Sequence, residues 1–333
     1  MPATMEEFPF AGQSDALDRI VAQSRPLVIR GLVAEWPVVA AARQSDKAFA
    51  TMLAGFDNGT PVDALVMPAA EEGVIGYGAD GTQFNFSHQR ASVSQGLSKL
   101  LQLDERGAPG VAMQSAPIAA CLPGFLEQHT VPFLGPRIEP RIWIGNRVTT
   151  PAHFDEYHNI ACVVCGVRRF TLFPPEQIGN LYIGPLDYAP TGAAISVARL
   201  DRLDDPRYPR LRTALEHAVV ADLEPGDAIY IPPMWWHHVA SLNKLNALVN
   251  YWWKQSHGQG LVPQTRIGGL LHAILLYRSL PEAEREAWRV LFDHYVFGAD
   301  DPGAHIPPER RGWLGELDTE QSIRLLEAIR RYL

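Results

Sequence analysis

Cysteine, long apolar runs and positive charge are all scarce in this sequence of 333 residues. Three cysteines are too few for a disulfide framework, so the expected compartment is a reducing one, the cytoplasm. The longest apolar run, Ile267–Tyr277, falls far short of the roughly 20 residues that cross a bilayer. The first residues lack the basic and apolar segments of a signal peptide. A formal net charge of −8 argues against a nucleic-acid partner. We therefore expect a cytoplasmic protein that binds neither membranes nor nucleic acid.

Proline, in contrast, is abundant. The chain has 27 prolines and 27 glycines, and this proline content exceeds the usual share of roughly 5%. Chains of this kind are rich in turns, which favours many short strands over a bundle of helices. With 47% hydrophobic and 20% charged residues, the sequence is also apolar enough to fold rather than stay disordered.

Hydrophobic periodicity divides the chain into three zones. Residues 1–110 mix helix and strand patterns, residues 111–255 are rich in strands, and residues 256–333 are helical. We therefore predict a mainly β protein with α elements, in which a β core lies between an N-terminal α/β flank and a C-terminal helical region. The predicted strands are 25–32, 141–145, 160–165, 169–173, 228–231 and 247–253, and the predicted helices are 14–24, 49–56, 92–103, 270–279, 282–297 and 319–333. A long connection, 174–225, interrupts the core, and insertions of this length are usually functional or ordered Ω loops.

A histidine and an aspartate two residues apart, His153 and Asp155, follow a predicted strand. In extended chain, residues i and i+2 point to the same side about 6.6 Å apart, so both side chains can bind one ion. A nitrogen donor and a carboxylate are two of the three ligands in a two-histidine, one-carboxylate site, which leaves positions on Fe(II) open. Alone the pair is a weak signal, because a turn with two exposed polar residues gives the same pattern.

A second segment supplies a candidate third ligand. In this segment five residues separate Gly226 from Pro232, and four residues separate Pro232 from His237. A turn, a short buried strand and a proline pair would deliver His237 to the same end of the core. Because neighbours on a strand face opposite sides, only one of His237 and His238 should reach the metal, and we expect His238 to be structural.

Two nearby patterns have simpler explanations. Cys162 and Cys165 form a C-x-x-C pair, but no second pair completes a zinc site. Alternation along a buried strand should send the two thiols to opposite faces, as small core residues. His158 is equally compatible with a group beside the metal and with a surface histidine.

Taken together, the motifs of residues 140–255, and more weakly those of 26–37, resemble the JmjC and cupin-like family of Fe(II)/2-oxoglutarate oxygenases. The resemblance is greatest to its bacterial cupin-like branch, related to the asparaginyl hydroxylase factor-inhibiting HIF. The motifs are TPAHFDEYHN, RRFTLFPPEQ, LYIGP, PGDAIYIPPMWWHHV and NYWW. The resemblance implies a double-stranded β-helix (jelly-roll or cupin) core, with Fe(II) as metal, 2-oxoglutarate as co-substrate and O₂ as oxidant.

The same resemblance implies residue roles. His153, Asp155 and His237 would be the iron ligands, since the spacing before His237 is similar to the second cupin motif. Arg168 would bind the distal carboxylate of 2-oxoglutarate, with Arg169 as an alternative. Positions that match the rest of the co-substrate pocket are Thr150, Asn159 and Asn250, and positions that match a substrate pocket are Gln114 and Trp252.

One position departs from the family pattern. Ala112 stands where factor-inhibiting HIF has a tyrosine that binds the co-substrate, so the pose of 2-oxoglutarate stays open. The resemblance implies an oxygenase that releases succinate and CO₂ and hydroxylates a protein or peptide side chain or a small molecule. It does not separate hydroxylation from demethylation.

Two alternatives to an oxygenase stay open. One is a metal-binding cupin-like protein without oxygenase activity, acting as a sensor or scaffold. The other is a zinc or manganese cupin isomerase or hydrolase, for which the usual H-x-H pair is missing. For the tail we expect a homodimer through the helices 282–297 and 319–333.

Overall fold

A computed structural model describes residues 2–78, 81–104, 107–254, 267–315 and 317–329. The chain forms two compact units, 1–253 and 254–333. No helix among the residues described is long and apolar enough to span a membrane.

Helices and strands alternate in the N-terminal part of the first unit. In chain order they are β1 (Ala3–Thr4), α1 (Ala16–Ala22), β2 (Leu27–Ile29), α2 (Pro37–Gln44), α3 (Asp46–Ala54), β3 (Val62–Met67), β4 (Ser87–Ala91), α4 (Val93–Gln102), β5 (Gly110–Pro117) and α5 (Ile118–Cys121). Their ends follow local chemistry. Ser92 and Gln95 form a reciprocal capping box at the start of α4, and Pro37 occupies the first turn of α2, where its missing N–H costs nothing.

The rest of the first unit is mostly strand. Its elements are β6 (Arg141–Gly145), β7 (Thr149–His153), β8 (His158–Cys165), β9 (Arg168–Phe173), α6 (Leu211–Glu216), β10 (Val219–Leu223), β11 (Ala228–Ile231), β12 (Trp236–Ser241) and β13 (Asn246–Trp253). The strands form a five-stranded sheet in the order β1-β10-β9-β12-β7 and an eight-stranded sheet in the order β2-β11-β8-β13-β6-β5-β3-β4. Within the sheets, β1 and β10 are parallel and the other neighbours are antiparallel.

The two sheets pack face to face. Val163 and Ile229 of the large sheet meet Phe170 and Leu172 of the small sheet in one buried apolar cluster. The other face of the large sheet carries a larger core that includes the N-terminal helices. This arrangement confirms the predicted jelly-roll core, and β2, β3 and β4, which come from the predicted N-terminal flank, lie in the same large sheet.

The long connection between β9 and β10 lies along the edge of the small sheet. The N–H of Ser196 donates to the carbonyl oxygen of Ala152 in β7, at 2.8 Å. Tyr188 stacks on Phe84 with ring centroids 4.5 Å apart, and the Tyr77 hydroxyl donates to the Tyr188 carbonyl oxygen. These contacts fix the connection beside the end of β7.

The prediction about the two cysteines is wrong in one respect. Both thiols are buried, but they belong to the same apolar cluster instead of opposite faces. Cys162 pairs with Val249 and Cys165 with Ala247, so three steps along β8 match two along β13, and the register shifts between Ala247 and Leu248. A bulge of this kind adds one residue to a strand and brings the second thiol back to the first face.

The second unit is helical. It contains α7 (Ile267–Tyr277), α8 (Glu282–Phe292), a π-helical turn over Asp293–Phe297 and α9 (Thr319–Ile329). The predicted continuous helix 282–297 therefore changes its hydrogen-bonding pattern in its last turn. Tyr277 packs on Trp288 and Phe292 across α7 and α8.

Candidate metal centre

His153, Asp155 and His237 each offer one ligand atom, and these atoms all lie within 4.8 Å of one another. His153 ends β7 and stands directly opposite His237 on β12, with ring centroids 4.1 Å apart. Asp155 follows β7 by two residues, and its Oδ2 lies 3.7 Å from Nε2 of His237. The N–H of Met234 donates to the Asp155 carbonyl oxygen, which ties the two ligand-bearing segments together.

Backbone carbonyls fix which nitrogen each ring presents. Nδ1 of His153 lies 2.9 Å from the Pro151 oxygen, and Nδ1 of His237 lies 3.0 Å from the Trp235 oxygen. Because a carbonyl only accepts, both Nδ1 atoms carry the hydrogen and both Nε2 lone pairs are free for a metal.

Burial lowers the pKa of His237 to about 4, reinforced by the nearby His153 and opposed by the Asp155 carboxylate. The imidazole is therefore neutral at neutral pH, the form that binds metals. Two imidazoles and one carboxylate fit the donor set of an Fe(II) site with open positions.

His238 points the other way. Its side chain lines a groove of about 870 Å³ on the outer face of the small sheet, together with Thr149 and Arg169. No ligand of the triad lines this groove, although it is the larger of the two spaces. The structure therefore brings only His237 of the adjacent histidines to the triad.

A cavity of about 160 Å³ contains the triad. It brings together nine residues that the sequence suggested for the site, but not the alternative Arg169: His153, Asp155, His237, Thr150, Asn159, Arg168, Asn250, Gln114 and Trp252. Their assigned roles remain predictions. His158 does not line the cavity; its Nδ1 pairs with the Tyr230 hydroxyl at 2.8 Å, and its ring stacks on Trp253.

Arg168 and Arg169 have opposite environments. Arg168 is 8% exposed, and among the residues described it has no carboxylate within 4.0 Å and no hydrogen-bond partner for Nε. Burial lowers its pKa to about 10, so the guanidinium is still charged at neutral pH. Arg169 is exposed and makes a bidentate pair with Asp222, with both bonds at 2.7 Å. A buried cation without a partner is costly, so the Arg168 end of the cavity is suited to an anion.

Strand β13 of the large sheet adds polar atoms that have no partner among the residues described. Asn250 Nδ2 donates to Asn159 Oδ1 at 3.0 Å. In the part of the chain that is described, Asn250 Oδ1 and Trp252 Nε1 are buried and have no hydrogen-bond partner. Trp252 also packs edge to face on Trp143, with centroids 5.0 Å apart. Buried polar atoms are normally paired, so these atoms point to a ligand that pairs with them.

The sequence did not predict several lining residues. Ser115 lines the cavity next to Gln114, at a bulge between β5 and β6, with a left-handed φ of 49°. Arg141 Nη1 donates to its carbonyl oxygen at 2.9 Å. No sequence signal marks a serine with this backbone. Thr191 and Ala193 come from the long connection, whose length alone indicated a function.

Two packed antiparallel sheets with a two-histidine, one-carboxylate site between them define a jelly-roll protein of the cupin type. Residues 13–259, most of the chain, match the family model described as a cupin-like domain. The chain therefore belongs to the cupin-like domain family.

Curated relatives of this chain include a protein named for a Jumonji C domain. It is 33% identical over 118 residues to Jumonji C domain-containing protein 5 of Drosophila melanogaster, covering 35% of this chain and 28% of that protein. It is 35% identical over 116 residues to human HSPB1-associated protein 1, covering 34% and 23%. It is 35% identical over 119 residues to Lysine-specific demethylase JMJ31 of Arabidopsis thaliana, covering 34% and 21%. The matches span less than a third of each of these relatives.

Proposed function

We propose that this protein is an Fe(II)- and 2-oxoglutarate-dependent oxygenase that hydroxylates a protein or peptide side chain or a small molecule. Succinate and CO₂ would be the products of the co-substrate. One observation carries the proposal: a two-histidine, one-carboxylate cluster shares a cavity with the buried guanidinium of Arg168, whose Nε has no hydrogen-bond partner among the residues described. The demethylase name of one relative keeps an N-methyl group among the candidate substrates.

The triad would hold the metal through Nε2 of His153, Nε2 of His237 and the carboxylate of Asp155. The hydrogen bonds from each Nδ1 to the backbone orient the rings before the metal binds. When bound, Fe(II) and 2-oxoglutarate would supply the activation of O₂ that no side chain can provide.

Arg168 would bind the distal carboxylate of 2-oxoglutarate through its guanidinium, because a planar fork matches a carboxylate. Thr150 of the small sheet adds a hydroxyl to the cavity lining, and Asn159 and Asn250 of the large sheet add two amides. Phe170 and Val239 are apolar parts of the lining, and they limit how much water reaches the charged groups.

On the substrate side, Gln114 and Trp252 are the candidate contacts, and the structure adds Ser115 and Thr191. The amide of Gln114 and the hydroxyls can both donate and accept hydrogen bonds. A substrate that presents a polar group, as a peptide does, would match this rim better than a hydrocarbon.

The test is succinate release from 2-oxoglutarate by protein loaded with Fe(II) under anaerobic conditions and then given O₂. We expect slow release without a substrate, lost in His153→Ala and Asp155→Ala and kept in His238→Ala. A visible absorption band that forms when 2-oxoglutarate is added to the Fe(II) protein would separate an oxygenase from a cupin isomerase. Iron binding without 2-oxoglutarate binding or turnover would favour the alternative, a metal-binding sensor or scaffold.

We also propose that a second copy of the chain covers the apolar side chains of the C-terminal unit. The most exposed are Leu275, at 76%, and Phe297, at 75%, and further ones are Leu270, Val290, Val296 and Ile323. Exposed apolar groups in this number are typical of an interaction surface. The unpaired, buried cysteines are compatible with the cytoplasm as the proposed compartment.

A further inference from the structure

A second, small cavity of about 30 Å³ lies beside Arg168. None of the triad lines it. It shares five lining residues with the larger cavity of the metal site: Gln114, Trp143, Thr150, Arg168 and Val239. The small cavity therefore lies behind the Arg168 end of the site, away from the metal ligands.

This cavity exists because two very small residues face each other across β5 and β6. Ala112 and Gly145 are cross-strand partners, and both line the cavity. A Cβ on Gly145 would lie 2.5 Å from the Val111 carbonyl oxygen and 3.2 Å from Cα of Ala112. Because position 145 cannot carry a side chain, the residue at position 112 decides how much of the space stays open.

Several residues around the small cavity are polar, so the cavity can accept a polar group of a ligand. Besides Arg168, the hydroxyls of Thr150 and Ser241 belong to the residues around the cavity. The volume exceeds the roughly 10–15 Å³ of free space that a cavity needs to hold one water molecule, so one more methylene group can be accommodated. Since Nε of Arg168 has no partner in the described part of the chain, the guanidinium can turn toward this space without breaking a hydrogen bond there.

We propose that the small cavity makes the co-substrate pocket one methylene deeper, so that the protein binds 2-oxoadipate as well as 2-oxoglutarate. This inference rests on the proposed function, since it takes Arg168 as the partner of the distal carboxylate. 2-Oxoadipate has the same 2-oxo acid head and the same distal carboxylate, with one more methylene between them. With the head at the triad, the longer chain carries its carboxylate toward Ala112, where there is space beside the Arg168 guanidinium, whose Nε has no partner among the described residues.

Titration calorimetry of the two acids into Mn(II)-loaded protein tests this without turnover. A pocket shaped for one chain length discriminates against an extra methylene by about 10- to 200-fold. We expect the two Kd values to lie within about tenfold of each other. Binding of 2-oxoglutarate with 2-oxoadipate more than about tenfold weaker would overturn the inference and leave the proposed function standing. Binding of neither acid would overturn the proposed function itself.

The variant Ala112→Val fills the cavity with two methyl groups. This variant is expected to weaken the binding of 2-oxoadipate by at least about tenfold and to leave the Kd of 2-oxoglutarate almost unchanged. Ala240→Val is the matched control, because Ala240 lies on β12 but lines the outer groove of the small sheet. Equal weakening of both acids by Ala112→Val in a folded protein would count against the inference. If melting curves show that this variant does not fold, the comparison of the two acids in the unaltered protein decides alone.

Discussion

His153 and His237 are direct cross-strand partners in the small sheet, and their imidazole rings lie 4.1 Å apart. Antiparallel neighbours in this position hold their side chains on one face, so the spacing of the two candidate metal ligands is set by the sheet and not by a flexible loop. Asp155, just beyond the strand, completes the cluster. A site built on paired strands is rigid before the metal arrives.

The first prediction concerns metal affinity. Replacing His153, Asp155 or His237 by alanine removes a ligand atom, so Fe(II) or Mn(II) affinity should fall by more than the about 10- to 100-fold that loss of an outer partner costs. His238→Ala is the control, since this side chain faces the outer groove. Calorimetry with Mn(II) measures the metal affinity of the ligand variants and of the control. Equal losses of affinity in all four variants would contradict the assignment.

The second prediction separates the two adjacent arginines. Arg168→Met removes a buried cation that has no carboxylate partner among the described residues, so the metal-free protein should become more stable to urea. Binding of 2-oxoglutarate should weaken at the same time by about 2–5 kcal/mol. In Arg169→Met, which breaks only the exposed pair with Asp222, stability should change little and co-substrate binding should stay the same. A loss of co-substrate binding in Arg169→Met alone would reverse the assignment.

The third prediction concerns the backbone of Ser115. Its φ of 49° costs a residue with a Cβ about 1–2 kcal/mol, a cost that glycine avoids. The protein with glycine at this position should therefore be more stable than the protein with alanine by about 1 kcal/mol, the reverse of the usual order inside a strand. Urea unfolding of Ser115→Gly and Ser115→Ala gives the difference. Alanine as the more stable residue would show that the backbone is not strained there.

The fourth prediction is a pH dependence from His129. This histidine is fully buried; Nδ1 donates to the Phe125 oxygen at 2.6 Å, and Nε2 accepts from the N–H of Val38 at 3.2 Å. Burial lowers its pKa below the usual 6.5 or so, opposed by the bond to Phe125. Below about pH 6.5 the unfolded chain binds a proton at His129 that the folded chain does not. The free energy of unfolding is therefore highest above that pH and decreases as the pH falls.

Urea unfolding at about pH 7.5 and about pH 5.5 measures the effect of His129. Other buried histidines also respond to acid, so the quantity to compare is the stability lost between the two pH values. The unaltered protein should lose more stability than His129→Gln, which keeps a hydrogen-bonding side chain but does not titrate. Equal losses would exclude His129 as a source of the pH dependence.

The fifth prediction concerns the oligomeric state. Light scattering should give the mass of two chains for the unaltered protein. The double variant Leu275→Glu, Phe297→Glu places charges on the two most exposed apolar positions of the helical unit and should give the mass of one chain. A matched double variant at the exposed polar positions Glu284 and Arg285, changed to glutamine, should stay dimeric. A monomer in the unaltered protein would reject the dimer.

Much of the fold was predictable because periodic patterns reflect burial directly. Five strands of the core (β6, β8, β9, β11 and β13) and the helices of the second unit lie close to their predicted positions, and the family resemblance is confirmed by the match over residues 13–259. The bulge between Ala247 and Leu248 was not predictable, because it depends on how β8 and β13 pair and not on either segment alone. The same is true of the bulge that turns Ser115 into the cavity.

By itself, the sequence determined the chemistry of the site. Residue types and short spacings are local properties, so His153 with Asp155 and the segment from Gly226 to His237 were enough to indicate a metal and the class of protein. The tertiary structure decided which of the two adjacent histidines, and which of the two adjacent arginines, lies at the site. Sheet register turned His237 inward and His238 outward. It also buried Arg168, whose Nε has no partner in the described part of the chain, while Asp222 held Arg169 at the surface. The physical reason is that pairing across strands, which joins distant segments, sets the direction of each side chain and the charge that it meets.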